Sequence, residues 1–399
     1  MKYLIIGAGP SGLSFANRLL QQGEGDFLVL EQEASAGGLC RSADIGGAPL
    51  DIGGGHFLDV RRPAVLDFVF AFMPRDEWDS YDRISKISIH GQMIGSPIES
   101  YIWQLSEALQ AEYLKDIAEA GCNTGREQPA RFVDWIYWKL GRRIAEDYML
   151  PYNRKMFGEN LDQLGTYWLE KLPNVSYEDT LRSCREKRFC GSQPGHAQFF
   201  YPKHHGYGEV WKRMAEKLGT KLKFGAPVRS LNCRTRVVNE TYTAEVIVNT
   251  APWTSFELLE GLSEASQAAV SSLRHSAVAI DYFPERLPTD AQWIYYPDAA
   301  LSYHRILVRH NFCPDSSGYW TETNASRVLP HEKDRFRHVN PYAYPLNTIG
   351  KNERMKALLS ELSDHSIIGL GRWGEWQHDN SDVVVDKALR LADAMMKQD

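Results

Sequence analysis

Hydrophobic and polar positions along this chain fall into blocks with distinct periods. Tyr3–Ile6 is an unbroken apolar run ending at a glycine-rich turn, the pattern of a strand buried on both faces, and Phe27–Glu31 repeats it. Between them Gly12–Gln21 is rich in good helix formers, so the N-terminal segment predicts a β-α-β unit with parallel strands. From Ser96 the spacing turns helical. Ser96-Pro97-Ile98-Glu99 combines a cap residue, proline at the first helical position and a capping-box glutamate. Ile102, Leu105, Leu109, Leu114 and Ile117 follow near helical spacing until Gly121. A second helix is predicted over Ala130–Met149, with Phe132, Trp135, Ile136 and Leu140 on one face and its end at Pro151, and a third over Gly206–Leu218. Short strands are predicted near Lys221–Phe224, Val228–Leu231, Ala244–Asn249, Ala277–Tyr282, Trp293–Tyr296, His304–Arg309 and Ile367–Leu370, before a closing helix over Asp382–Met396. The whole predicts an α/β fold. A discontinuous dinucleotide domain (1–90, 200–275 and 345–399) is interrupted by a mainly helical domain (91–199) and an antiparallel, sheet-rich substrate domain (276–344).

The 399 residues are 43% hydrophobic and 24% charged, enough for a sizeable core. With 45 basic against 51 acidic residues the net charge is −6, so nothing favours nucleic acid or an anionic membrane. Apolar runs such as Val65–Met73 are too short to span a bilayer, and Tyr3–Ile6 leads into a glycine turn rather than a signal-peptide cleavage site. Cys40, Cys122, Cys184, Cys190, Cys233 and Cys313 form no CxxC pair, which points to free thiols and a soluble, cytoplasmic protein. His204-His205 has no third ligand at useful spacing, so no metal is expected.

The candidate chemistry begins at Gly7-Ala8-Gly9-Pro10-Ser11-Gly12. This GxGxxG follows a strand and opens a helix, where glycines let the backbone approach a pyrophosphate at the positive helix end. Glu31 closes the second strand, where a carboxylate can accept from ribose hydroxyls. Gly37-Gly38-Leu39-Cys40-Arg41 adds a second glycine pair and an arginine. The three elements in register predict dinucleotide binding.

The glutamate, glycine pair and arginine resemble FAD proteins of the amine oxidase and protoporphyrinogen oxidase type, as do Ala244–Pro252 (AEVIVNTAP) and Gly369-Leu370-Gly371-Arg372. Six further segments, in order, resemble UDP-galactopyranose mutases. They are Asp51–Phe57 (DIGGGHF), Pro151–Lys155 (PYNRK), Tyr201–Trp211 (YPKHHGYGEVW), Trp293-x-Tyr295-x-Pro297 with Arg305, Tyr344-Pro345, and Gly371–Trp376 (GRWGEW). The resemblance implies FAD held by Gly7, Gly9, Ser11, Gly12, Glu31, Gly38, Arg41, Val228, Gly371 and Arg372. It implies His56 at the flavin, Arg305 at a leaving diphosphate, and Asn153, Trp293, Tyr295, Tyr344 and His378 lining a nucleotide-sugar site. The implied reaction interconverts pyranose and furanose rings with N5 of reduced flavin as nucleophile, without net redox, and NAD(P)H is a candidate reductant.

Each side chain also has a plain structural reading: His56 as a loop histidine, Arg305 as a solvated strand residue, Tyr344 as loop packing, Trp293 as core. The chain also departs from the mutases. Lys171-Leu172 stands where they carry a second diphosphate arginine, Glu99 where a glutamine contacts the nucleobase, and His378 where a tyrosine follows the flavin motif. These changes fall on nucleotide contacts, so flavin chemistry is better supported than UDP-galactose. The alternatives are an amine-oxidase-type oxidoreductase and a non-catalytic flavin-binding module.

Overall fold

The strand Tyr3–Ile6 is buried along its whole length and lies at the centre of a five-stranded sheet. In a computed structural model that describes all residues except 167–168, 170–174, 192–196, 315, 331–334 and 398–399, the strand order is Leu222–Lys223, Phe27–Leu30, Tyr3–Ile6, Val246–Asn249, Ile367–Gly369. All neighbours are parallel, with Tyr3 opposite Phe27 on one side and Val246 on the other. The apolar runs suit this position, because such strands need burial on both faces. The helix Pro10–Gln21 packs against Gly208–Leu218 and Ser381–Met396. Asn17 in its middle is buried and donates to the carbonyls of Leu13 and Met214, so a polar side chain ties two helices together without an unpaired donor. These elements form one compact unit, Met1–Ser80 with Phe200–Arg274 and Gly350–Asp399.

The second unit comprises Tyr81–Phe199 and His275–Ile349. Its seven-stranded sheet runs Arg337–Pro345, His275–Phe283, Tyr319–Asn324, Arg305–Val308, Trp293–Tyr295, Ser85–Ile89, Gln92–Gly95. Every pairing is antiparallel except that of Trp293–Tyr295 with Ser85–Ile89. Its helices share one core with the sheet, where Ile87 and Ile94 meet Ile102, Ile117, Phe132 and Ile136, and Tyr295 and Tyr344 pack at the edge.

Two helix expectations are corrected. Ser96–Glu99 does not start a helix: Ile98–Ser100 and Ile102–Gln104 are single 3₁₀ turns, and the helix Glu107–Glu119 begins later, capped by Ser106, whose hydroxyl accepts from the Leu109 amide. The spacing was compatible with helix, but Ser106 supplies the better cap, with Glu107 in the first turn. The second helix does not end at Pro151. It is broken at Gly141, where φ is 75° and a Cβ would stand 2.4 Å from the Asp116 carbonyl oxygen. Helical backbone resumes and passes through Pro151 to Phe157. Pro151 follows the π-helical turn Ala145–Met149, where the hydrogen-bonding pattern of the helix changes before Leu150–Phe157. Among the described residues no helix is long and apolar enough to cross a membrane.

Candidate active site

In the first unit the two glycine turns face each other. A Cβ on Gly38, whose φ is 54°, would come within 3.2 Å of Gly9 Cα, and one on Gly12 would lie 2.0 Å from the Gly7 carbonyl oxygen. At Gly12 only hydrogen fits, and at Gly38 a side chain would be both tight and strained by the left-handed backbone, which lets backbone line the entrance to the helix. The Gly37 amide donates to Ala8 O at 2.8 Å and fixes one turn on the other. Gly9 caps the helix Pro10–Gln21 with no side-chain acceptor, so the helix end keeps unsatisfied amides for an anion. Gly371, with φ 75°, packs against Ser11 at that same end.

Glu31 is buried, and its carboxylate accepts from the amides of Ala8 (2.6 Å) and Glu33 (2.9 Å). Burial pushes its pKa up while those two bonds and Arg41 pull it down. Each oxygen keeps a further lone pair for a ribose hydroxyl. Arg41 donates to the Gly38 carbonyl at 3.0 Å and pairs with Glu33 at 3.0 Å. Val228 lies just before the strand Ser230–Asn232, two residues after Ala226, whose amide donates to Glu31 O. Arg372 donates to the Asp379 carbonyl, which leaves His378 half-buried in the turn that follows. A backbone-lined anion end, a ribose-facing carboxylate and glycines with no room for side chains fit a dinucleotide such as FAD.

The DIGGGHF segment is anchored by Asp51, which sequence reasoning passed over. Its buried carboxylate accepts from Tyr201 Oη (2.9 Å), the Tyr207 amide (3.1 Å) and Ser42 Oγ (2.5 Å), and Ser42 Oγ accepts in turn from the Gly208 amide (2.8 Å). One aspartate thereby holds the histidine loop, the second glycine turn and the segment Tyr201–Trp211 together. His56 follows, half-buried, with Nδ1 3.1 Å from the Gly54 carbonyl oxygen.

In the second unit Arg305 is the centre of a polar cluster. Its guanidinium binds the buried Glu322 carboxylate through Nε (3.0 Å) and a second nitrogen, and that nitrogen lies 3.4 Å from Tyr344 Oη. Burial works against its charge, but Glu322 and the hydroxyls of Tyr344, Tyr152 and Tyr295 hold its pKa well above the usual value. Tyr295 stands opposite Arg305 across the strand pair, and the Tyr152 ring meets Tyr295 edge-on at 5.6 Å. Arg305 is therefore a paired, mostly buried residue rather than a solvated one. Trp293 is 2% exposed and packs between Phe312 and Phe199, so it serves the core. Asn153 is buried, with its amide donating to Met149 O at 2.7 Å. The cluster brings Arg305, Tyr295 and Tyr344 together, with Asn153 on the neighbouring helix Leu150–Phe157.

Sequence reasoning missed three members of this cluster. Arg83 donates to Tyr295 Oη at 2.8 Å and to Ser85 Oγ at 3.0 Å, with its guanidinium 4.6 Å from the Trp293 ring centre. Its signal is the alternation Arg83-x-Ser85-x-Ile87 entering the strand Ser85–Ile89, whose short, mixed polar and apolar run hydropathy alone does not mark. Glu322 and His304 become visible only once strand pairing is known. Glu99 sits in a 3₁₀ turn rather than a helix cap, and burial raises its pKa while nearby Lys139 lowers it. Lys171 and Leu172 lie outside the described residues. His204 and His205 are exposed, and no group of three or more His, Cys, Asp or Glu that could hold a metal occurs among the described residues.

A family model described as NAD(P)-binding Rossmann-like domain matches residues 5–72. The chain is 47% identical over 140 residues to a Baeyer-Villiger monooxygenase of Pseudomonas aeruginosa, a match covering 32% of this chain and 26% of that protein. The chain thus spans about a quarter of that relative's length. Over its whole length it superposes on reduced UDP-galactopyranose mutase with a TM-score of 0.88 at 23% identity, covering 94% of that chain. This chain shares the fold of UDP-galactopyranose mutase. The same fold extends to cyclohexylamine oxidase from Brevibacterium oxydans, with a TM-score of 0.69 at 13% identity over 100% of this chain and 99% of that one.

Proposed function

We propose that this protein is an FAD-dependent mutase that interconverts the pyranose and furanose forms of a nucleotide-activated sugar. The observation that carries the reading is the Arg305 cluster, in which one guanidinium and the hydroxyls of Tyr295 and Tyr344 converge on one sheet face. It is supported by the likeness in fold to reduced UDP-galactopyranose mutase along the full chain. Gly7, Gly9, Ser11, Gly12, Gly38, Glu31, Arg41, Val228, Gly371 and Arg372 would hold FAD, and reduced FAD supplies a nucleophilic nitrogen. The remaining work is positioning and charge stabilisation. As a sugar–phosphate bond breaks, charge grows on the leaving diphosphate, and Arg305 with the tyrosine hydroxyls donates to it. The buried Tyr152 ring and the half-buried Tyr295 ring beside the cation would limit its hydration and strengthen its interaction with an anion. His56 would act at the cofactor edge, and Asn153 and His378 would line the substrate, with NAD(P)H as the candidate reductant.

A second reading, an oxidoreductase of the amine oxidase type, is favoured by the likeness to cyclohexylamine oxidase. One experiment separates the two. Purified protein, oxidised or dithionite-reduced, is incubated with UDP-, dTDP- and GDP-sugars and the ring isomers are resolved by chromatography. The mutase reading expects isomerisation only by reduced protein, over many turnovers without consumption of reductant. Turnover by oxidised protein, or one reductant used per product, overturns it in favour of the oxidoreductase.

A further inference from the structure

His304 is fully buried, and among the described residues neither ring nitrogen has a hydrogen-bond partner. Buried polar groups are almost always paired, so an imidazole with both nitrogens unmet calls for an explanation. The backbone fixes its place, because its amide donates to Glu322 O and its carbonyl accepts from the Tyr296 amide, both at 2.9 Å. Its Nε2 lies 3.7 Å from Glu322 Oε2, the same oxygen that Arg305 holds. The charged groups facing the ring are Glu322, Arg305 and Lys155, and the ring of Tyr152 meets it at 5.8 Å. Burial, then Arg305 and Lys155, push its pKa well below the usual value, so the ring is neutral, with one N–H to give.

Arg305 and Glu322 form a closed pair, and an incoming anion meets a cation that is already neutralised. If Arg305 receives a diphosphate, as in the reading above, the anion competes with Glu322 for the guanidinium and weakens that hold. A buried carboxylate is destabilised by each donor it loses, and His304 Nε2, 3.7 Å from Glu322 Oε2, can supply a replacement. A shift of about 0.7 Å closes the gap to hydrogen-bond length. We infer that His304 is a positioning residue that takes over Glu322 when Arg305 turns to an anionic ligand, so that the Arg305–Glu322 pair works as an exchangeable clasp. No proton changes hands, because the ring donates the hydrogen it already carries.

The test is calorimetric titration of the FAD-loaded protein with UDP, dTDP and GDP and with the matching nucleosides. The proteins compared are wild type, His304→Phe, His304→Gln, Arg305→Gln and the Arg305→Gln/His304→Phe double variant. Phenylalanine keeps the bulk and removes the donor, whereas glutamine places an amide N–H near the former Nε2. The clasp expects His304→Phe to lose about tenfold in diphosphate affinity with nucleoside affinity unchanged. It expects His304→Gln to recover most of the loss, and His304→Phe to add nothing once Arg305 is glutamine. In wild type with ¹⁵N-labelled histidine, the ring N–H signal assigned to His304 by its absence in His304→Gln should move downfield on adding the diphosphate. This readout stands even if the phenylalanine variant does not fold. An unmoved signal, an equal loss for nucleoside and diphosphate, or an undiminished effect in the double variant overturns the clasp alone. A wild-type protein that binds none of the three diphosphates overturns the nucleotide-sugar reading and the clasp with it.

Discussion

Arg83 Nη donates to Tyr295 Oη at 2.8 Å while its guanidinium lies against the Trp293 ring, so a cation that sequence reasoning overlooked orients one of the predicted site tyrosines. Arg83→Gln should therefore weaken nucleotide-diphosphate binding less than loss of Arg305 does. Arg83→Lys should recover only part of the loss, because an ammonium cannot reproduce the planar fork lying on the indole. Titration with UDP checks both, and wild-type affinity in Arg83→Gln would remove Tyr295 orientation from the account.

Arg305 and Glu322 predict effects of opposite sign on binding. A charge-assisted hydrogen bond is worth about 1.5–3 kcal/mol, so Arg305→Ala should lower diphosphate affinity roughly ten- to a hundredfold. Glu322→Gln frees the guanidinium and should raise it. Both should lower thermal stability, since breaking one side of a buried pair costs about 3–5 kcal/mol. An Arg305→Met/Glu322→Leu double variant should recover much of that stability while failing to bind. Melting curves alongside titrations test the pattern.

Gly12→Ala should abolish cofactor retention. The added methyl would stand 2.0 Å from the Gly7 carbonyl oxygen, a backbone atom with nowhere to move. Flavin absorbance per protein in the purified variant measures this, and a fully loaded Gly12→Ala protein would refute the cradle.

Stability should respond to pH through Lys155, whose buried ammonium donates to the carbonyls of Tyr296 (2.7 Å) and Asp298 (2.8 Å). Burial, with Arg327 nearby, lowers its pKa to about 8 from an ordinary value of 10.5. Between those values the unfolded chain holds more protons than the folded one, so this lysine's contribution to stability rises with pH across that window. Lys155→Met should lack that rise. Urea denaturation of both proteins at pH 7.5 and 9 measures it, and parallel curves would show that Lys155 does not titrate in the folded protein.

The central sheet was legible because strands buried on both faces are short apolar runs, and Tyr3–Ile6 matched to the residue. The glycine turns were legible because close backbone approach admits no other residue. The strand Tyr319–Asn324 was not, because its buried residues include Thr321, Glu322, Thr323 and Asn324. Hydropathy reads such a run as a loop, and only its partners across the sheet make it a strand. Arg337–Pro345 escaped for a similar reason, with buried Asn340 among exposed positions. Arg305 was picked out by its spacing from Trp293, yet its tie to Glu322 depends on cross-strand register, which a linear pattern does not contain.

The order of the strands also sets a timetable for synthesis. Tyr3–Ile6 emerges before the other strands of its sheet, but one of its neighbours is Val246–Asn249, whose outer neighbour is Ile367–Gly369. The second unit needs nothing beyond Ile349. Domains tend to fold as their residues leave the ribosome, and pairings distant in sequence form slowly. The unit that begins first is therefore completed last. Its opening β-α-β segment must wait, edge unpaired and open to chaperones or to a neighbouring nascent chain, until Gly371 reaches Ser11 and closes the cradle.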